Sequence, residues 1–157
     1  MAGSSGAGKS LYEHAGGREA LLRFIDVFYA RVLGDPLLRP LFGEGQAGHV
    51  EHLTDFEVES FGGPAVFSKE LGFAHLIDVH RGLRITDAQR ERFVVLYLEA
   101  ADAAGLPSDA AFRDSLRSHV EFGALVAQQN SHARSEHELH PLREVPQWTW
   151  PGGTTRP

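Results

Sequence analysis

An all-α fold is predicted by three features of the sequence. Apolar residues recur at three- and four-residue spacing through most of the chain, no stretch alternates apolar and polar residues as a strand would, and glycine–proline breaks separate the periodic runs. The chain has 157 residues, long enough to bury one sizeable core without disulfides. Its 42% hydrophobic and 23% charged residues match an ordinary globular domain, so a packed core is expected rather than disorder.

Residues 1–10 are small and polar and read as a flexible leader. Gly16-Gly17 then precede a long helix that carries Leu21, Phe24, Ile25, Phe28, Val32 and Leu33 on one face. Gly34-Asp35-Pro36 stops it, because proline cannot continue the ladder. Leu37–Phe42 forms a short helical turn ahead of a glycine-rich corner from Gly43 to Gly48. Val50, Leu53, Phe56 and Phe61 mark a second long helix, ended by Gly62-Gly63-Pro64. After a looser segment, Leu76, Ile77 and His80 share a short helix. Thr86 with Gln89 three residues on is a capping-box pattern that opens a third long helix, which runs to Gly105-Leu106-Pro107. Ser108 is the expected cap of a fourth, carrying Phe112, Leu116, His119, Val120 and Val126. From residue 133 to 157 the chain reads as an irregular tail pinned by Trp148 and Trp150.

Composition excludes several chemistries. With no cysteine there is no thiol catalysis, iron–sulfur cluster or zinc ribbon. A net charge of −6 argues against a nucleic-acid partner, which needs a dense basic face. No apolar run is long enough for a membrane span, and the N-terminus lacks the order of a signal peptide, so a cytoplasmic protein is expected. The run Gly3-Ser4-Ser5-Gly6-Ala7-Gly8-Lys9-Ser10 matches a phosphate-loop pattern. Only two residues precede it, so no strand can lead into it, and it reads as part of the leader. Nine histidines are the unusual feature, because histidine is the commonest side-chain metal ligand. His132, His137 and His140 fall in the tail, where no regular element fixes a ligand geometry.

His80 is different, because Leu76, Ile77, Leu83 and Ile85 surround it. It is either a partly buried core histidine or an axial ligand to haem iron. The second reading also requires an apolar, aromatic pocket and a polar group opposite the histidine. Phe28 and Tyr29 lie within an apolar stripe, and His49, Leu53 and Phe56 fall at i, i+4 and i+7 on one helical face.

The order of these landmarks resembles the truncated haemoglobins, specifically their second group, over roughly Leu11 to His132. Gly16-Gly17, Phe28-Tyr29, Asp35–Phe42, Phe61-Gly62-Gly63-Pro64 and His80-x-x-Leu83-x-Ile85 are similar to that family's motifs in sequence order. The resemblance implies a two-over-two helical sandwich, a compact globin form, in which residues 11–132 enclose haem b (iron protoporphyrin IX). It implies His80 as the proximal iron ligand and Tyr29 as the distal hydroxyl that donates to bound oxygen. His49 and Leu53 would face the ligand, Phe42 would pack on the porphyrin, and Phe93 would close the distal side. It also implies oxygen and other diatomic gases as ligands, an electron-donor reductase as partner, and nitric oxide oxidation or peroxide reduction as activities.

Departures from the family pattern sharpen the expectation. Phe93 stands where this group usually has tryptophan, so no indole N–H donates there. Phe67 stands where a tyrosine is expected near the haem propionates, leaving Lys69 and Arg81 as candidates for that contact. The stretch from Phe42 to Gly62 is about one residue short, so His52 is the alternative to His49. Two other classes stay open from the residues alone. One is a haem-free helical interaction module. The other is a non-haem metal enzyme that uses His49, His52 and Glu51 or Asp55.

Overall fold

Local signals account for most helix boundaries in the computed structural model, which describes residues 9–45 and 48–151. The expected leader falls almost entirely, and the phosphate-loop-like run mostly, outside the described residues. Ser10 opens α1 (Leu11–Ala15) with a capping box: the Glu13 N–H donates to Ser10 Oγ at 3.1 Å, and the Ser10 N–H donates to Glu13 Oε1 at 3.0 Å. Residues Gly17–Leu33 form α2, which ends at the predicted Gly34-Asp35-Pro36 break. Asp35 nucleates the turn into α3 (Arg39–Phe42). Its Oδ1 accepts the Leu37 N–H at 2.9 Å, and its Oδ2 accepts the Arg92 Nε–H at 2.6 Å. Next comes α4 (His49–Ser60). Beyond it the chain turns at Gly63, where a Cβ would lie 2.6 Å from Val58 Cγ1 and 2.9 Å from Tyr12 Cδ1, so any other residue would collide with α1 and α4.

The segment expected to hold one short helix holds two, α5 (Val66–Glu70) and α6 (Gly72–His80). A buried carboxylate supports the first of them: Glu59 accepts the Ser68 N–H at 2.8 Å and also its hydroxyl. The Thr86–Gln89 capping box opens α7 (Asp87–Ala103) as predicted, with bonds of 3.1 and 3.0 Å. The cap of α8 (Ala110–His132) is Asp109 and not Ser108. Asp109 Oδ2 accepts the Phe112 N–H at 3.2 Å, and a contact from His14 at 2.8 Å holds its other oxygen. One 3-10 turn, Glu136–Glu138, follows. The described residues contain no strand, and none of their helices is long and apolar enough to cross a membrane.

The long helices pair as α2 with α4 and α7 with α8, and α2 packs on α7 to join the pairs. This is the two-over-two sandwich that the sequence resembles. Its apolar interior divides into two clusters. The larger gathers Leu21, Phe24, Ile25 and Phe28 of α2 with Leu96, Tyr97 and Ala100 of α7 and Phe112, Leu116 and Val120 of α8. Each leucine, isoleucine, valine or phenylalanine among them contributes roughly 1.5–3 kcal/mol relative to exposure. The smaller gathers Phe67, Phe73, Ile77, Val126, Leu139 and Val145. Helix α8 contributes to both. Helix α4 puts Val58 into the first and packs Phe56 against the second.

Asp35 supports both the α2–α3 corner and the contact with α7. Arg92 beside it and the N–H groups of Leu37 and Leu38 hold its carboxyl below the usual carboxylate range. An aspartate depressed in the folded state stabilises the fold above its unfolded value and loses that contribution as pH falls through the folded one. Asp35→Ala is expected to lower the thermal midpoint at neutral pH, and the gap to the parent protein should narrow under acid. Thermal melts of both proteins from pH 7 to pH 3 check this.

Candidate functional site

His80 is the last residue of α6, half-buried, with α5 and α8 packed against its helix. Its Nδ1 lies 2.8 Å from the Leu76 carbonyl oxygen one turn earlier. A carbonyl can only accept, so Nδ1 carries the hydrogen and Nε2 keeps a lone pair. Burial pushes the imidazole below its ordinary range, against a smaller opposing effect of the Leu76 bond. The ring is therefore neutral near pH 7. A neutral imidazole oriented through one nitrogen is the form in which histidine ligates a metal through the other. The donor set thus fits an axial ligand to haem iron.

The second group comes from three other elements. Tyr29 on α2 is 7% exposed, and its hydroxyl lies 2.8 Å from His49 Nδ1 at the start of α4. The two rings meet edge to face at 5.0 Å, and Phe42 of α3 stands 6.0 Å from Tyr29 and 5.9 Å from His49. Tyr29, Phe42 and His49 are therefore brought together. Phe93 is joined to them indirectly: it meets Phe28, the neighbour of Tyr29 in sequence, edge to face at 5.0 Å. Leu53, one turn beyond His49, is half-buried against the larger core, as are Phe42 and Phe93. Burial and the nearby imidazoles of His52 and His80 push His49 below the usual histidine range. His80 of α6 thus acts electrostatically on His49 of α4, although the two belong to different helices. His49 stays neutral near pH 7, so one hydrogen on Tyr29 or on Nδ1 bridges the pair.

Gly45 makes room for this pair. Its φ is +84°, and a Cβ there would lie 3.1 Å from Leu33 Cδ1 and 3.3 Å from the Tyr29 hydroxyl. Its N–H donates to the Phe42 carbonyl at 3.1 Å, which folds the corner after α3 over Tyr29.

Several other candidates are placed elsewhere. His52 is exposed on α4, so the Tyr29 hydroxyl pairs with His49 instead. Asp55 forms an ion pair with Arg18, which withdraws it from a metal group with His49. Among the described residues no three histidine, aspartate or glutamate side chains are grouped to hold a metal ion. Phe67 is buried in the smaller core, Arg81 pairs with Glu136 at 3.2 Å, and Lys69 is exposed. His132, expected in the tail, is instead the last residue of α8, and its Nε2 donates to the Ile85 carbonyl at 2.7 Å. A surface hollow lined by Lys9, Ser10, Tyr12, Glu13 and Gly62 to Pro64 touches none of the predicted site residues.

One polar group has no counterpart in the sequence reading. Glu57 of α4 is 5% exposed and accepts hydrogen bonds from the Tyr97 hydroxyl and from His119 Nε2, the latter at 3.0 Å. Glu57 sits between Phe56 and Val58, and its partners lie 40 and 62 residues away. Nothing local marks it, because α4 also carries Glu51, Asp55 and Glu59.

Comparison with known proteins agrees with the fold. The family described as bacterial-like globin matches residues 10–142. The curated group 2 truncated hemoglobin YjbI of Bacillus subtilis is 29% identical over 121 residues, covering 76% of this chain and 90% of that protein. A hemoglobin structure from Chloroflexus aurantiacus aligns at TM-score 0.68 with 31% identity, over 80% of this chain and 99% of its own. The structure of a truncated oxygen-avid haemoglobin from Bacillus subtilis aligns at TM-score 0.67 with 26% identity, over 84% and 100%.

Substituting Gly45 tests how much the Tyr29–His49 pair depends on the corner. Gly45→Ala is expected to destabilise the protein by about 1–2 kcal/mol, because its backbone is left-handed and the added methyl meets Leu33 and Tyr29. Urea unfolding measures that loss.

Proposed function

Since the chain belongs to the bacterial-like globin family, we propose that it is a haem b protein in which His80 ligates the iron and Tyr29 and His49 attend a bound diatomic gas, oxygen first among them. The observation that carries the proposal is the state of His80: a neutral imidazole with Nδ1 committed to Leu76, Nε2 left available, and the Tyr29–His49 pair within its electrostatic reach. When bound, haem would supply an iron that takes up a diatomic gas.

The protein's own residues then set the selectivity. A polar diatomic ligand held at this site would be stabilised by a hydrogen-bond donor about 3 Å away. Tyr29 supplies one, and its bond to His49 Nδ1 decides where that hydrogen points. When His49 Nδ1 carries a hydrogen and donates it to the tyrosine oxygen, the Tyr29 O–H can be turned toward the ligand. When Nδ1 is bare, Tyr29 donates to it and His49 Nε2–H becomes the available donor. Phe93 adds no donor, so these two residues carry the polar side of the site. Phe42, Leu53 and Phe93 are apolar and exclude water from it.

Slow ligand release under such a donor suits oxygen chemistry or sensing better than delivery, and the oxygen-avid Bacillus subtilis neighbour supports this direction. Nitric oxide oxidation and peroxide reduction are the reactions we assign to the site, supplied with electrons by a reductase in the cytoplasm. Fold alone does not choose between them.

The deciding experiment is hemin reconstitution followed by ferric, dithionite-reduced and CO-bound spectra. A saturable one-to-one Soret band with a histidine–haem–CO position is expected. A well-folded protein that takes up no stoichiometric haem would instead be the helical interaction module. His80→Ala is expected to abolish stable haem binding, and a normal five-coordinate imidazole spectrum in that variant would overturn the ligand assignment. Tyr29→Phe is expected to speed oxygen dissociation by about tenfold or more, since a charge-assisted hydrogen bond is worth roughly 1.5–3 kcal/mol. Stopped-flow replacement of oxygen by CO reads that rate.

A further inference from the structure

The buried polar group around Glu57 takes no part in the site just described. Tyr97 is 2% exposed, Glu57 5% and His119 4%. The Tyr97 hydroxyl donates to Glu57 Oε1, and His119 Nε2 donates to Oε1 at 3.0 Å and lies 3.2 Å from Oε2. Burial and the adjacent carboxylate push the Tyr97 phenol well above its ordinary range, so it keeps its proton at any working pH. A phenol in that state can lose an electron easily only if its proton leaves at the same time, and Glu57 is already bonded to receive it.

Aromatic rings continue from this point in both directions. Toward the candidate site, Tyr97 meets Phe28 at 5.5 Å, and Phe28 meets Phe93 at 5.0 Å. Toward the surface, Tyr97 stands 6.3 Å from His119, and His119 meets Trp148 edge to face at 5.8 Å. Trp148 is half-buried, and the bond from its backbone N–H to the Ser60 carbonyl at 2.8 Å holds the chain there. His119 Nδ1 and Trp148 Nε1 are both buried without a hydrogen-bond partner among the described residues. Unpaired buried polar atoms are costly and call for a reason. Here the two rings are in contact without a hydrogen bond between these atoms, so of the two oxidisable rings Tyr97 alone has a bonded proton acceptor, Glu57.

We propose that Tyr97 and Trp148 form a one-electron relay between the haem site and the protein surface, with Glu57 as the proton acceptor of Tyr97 and the His119 ring between the two. The inference rests on the haem reading above. The oxidant is hydrogen peroxide acting at the haem: its O–O bond breaks, and two electrons and two protons convert it to two waters. For each electron, Tyr97 gives one electron toward Phe28 and Phe93, its O–H bond breaks, and the proton passes to Glu57. Trp148 then returns an electron to Tyr97, whose O–H bond re-forms with the proton from Glu57. The Trp148 indole keeps its N–H proton as a radical cation, and a one-electron reductant of the ascorbate class refills it. Two such cycles consume two electrons from the reductant and two protons from solvent, and leave all four residues unchanged.

The test is freeze-quench electron paramagnetic resonance of the ferric, haem-loaded protein after one equivalent of hydrogen peroxide. A one-to-one Soret band and unchanged circular dichroism are checked first in every variant, so a failure to bind haem is recognised separately from a failure of the relay. The parent protein should give a tyrosyl radical signal, and Tyr97→Phe should lose it. Trp148→Phe should keep the signal, prolong it, and slow its quenching by ascorbate. Absence of any protein radical in the parent overturns the proposal. So does a tyrosyl signal that survives in Tyr97→Phe, which would place the radical on Tyr29 or Tyr12. An ascorbate rate unaffected by Trp148→Phe removes the tryptophan from the relay and overturns the two-residue form proposed.

Discussion

The division of the apolar interior into two clusters is the constraint from which the rest of the structure follows. A chain of this size could pack a single core, and the larger cluster alone holds most of the large buried side chains. Instead α5, α6 and the start of the tail gather their own cluster around Phe67, Phe73 and Ile77. Helix α6 therefore stands on α5 and α8 and carries His80 on a support separate from the one that carries Tyr29. Phe42, Leu53 and Phe93 on one side, and Phe56 and Leu76 on the other, stay only half-buried at the margins of the two clusters. Half-buried large apolar residues at such a margin suit a flat apolar cofactor, whose insertion would bury them fully.

Polar groups in this protein are arranged in pairs that spread one hydrogen over two functions. Tyr29 and His49 share a hydrogen at the site, and Tyr97 and His119 meet at Glu57 behind it. Helix α4 holds one member of each arrangement, His49 in its first turn and Glu57 two turns on. It also spans both apolar clusters. A shift of α4 would therefore disturb the site and the buried carboxylate together.

The sequence was most informative where the physics is local. The Thr86–Gln89 capping box, the break at Gly34-Asp35-Pro36 and the glycine turn after α4 all involve residues within a few positions of each other, and the structure has them as expected. The α8 cap moved one residue, from Ser108 to Asp109, because a carboxylate can serve the Phe112 N–H and His14 at once. The split of the looser segment into α5 and α6 was hidden because its support is Glu59, a residue of the preceding helix. At the site, the ordered motifs pointed to His80, Tyr29 and His49, but the Tyr29–His49 bond depends on the corner at Gly45 and cannot be read from spacing. Glu57 was invisible for a different reason. A glutamate in a helix reads as solvent-facing by default, and only tertiary contacts 40 and 62 residues away make it a buried acceptor.

The tail has a consequence for handling the protein. The Trp150 indole N–H donates to the Lys9 carbonyl at 2.9 Å, and Ser115 Oγ donates to the Thr149 carbonyl at 3.0 Å. Two positions 141 residues apart are thereby tied across the end of α1. Closing so large a loop costs little more entropy than closing one half its size, because the cost grows only with the logarithm of length. The two ends are thus spatial neighbours, and a short linker joining residue 151 to residue 9 would span them. New termini could then be opened at an exposed bend such as Gly105, giving a circularly permuted chain that keeps both clusters intact.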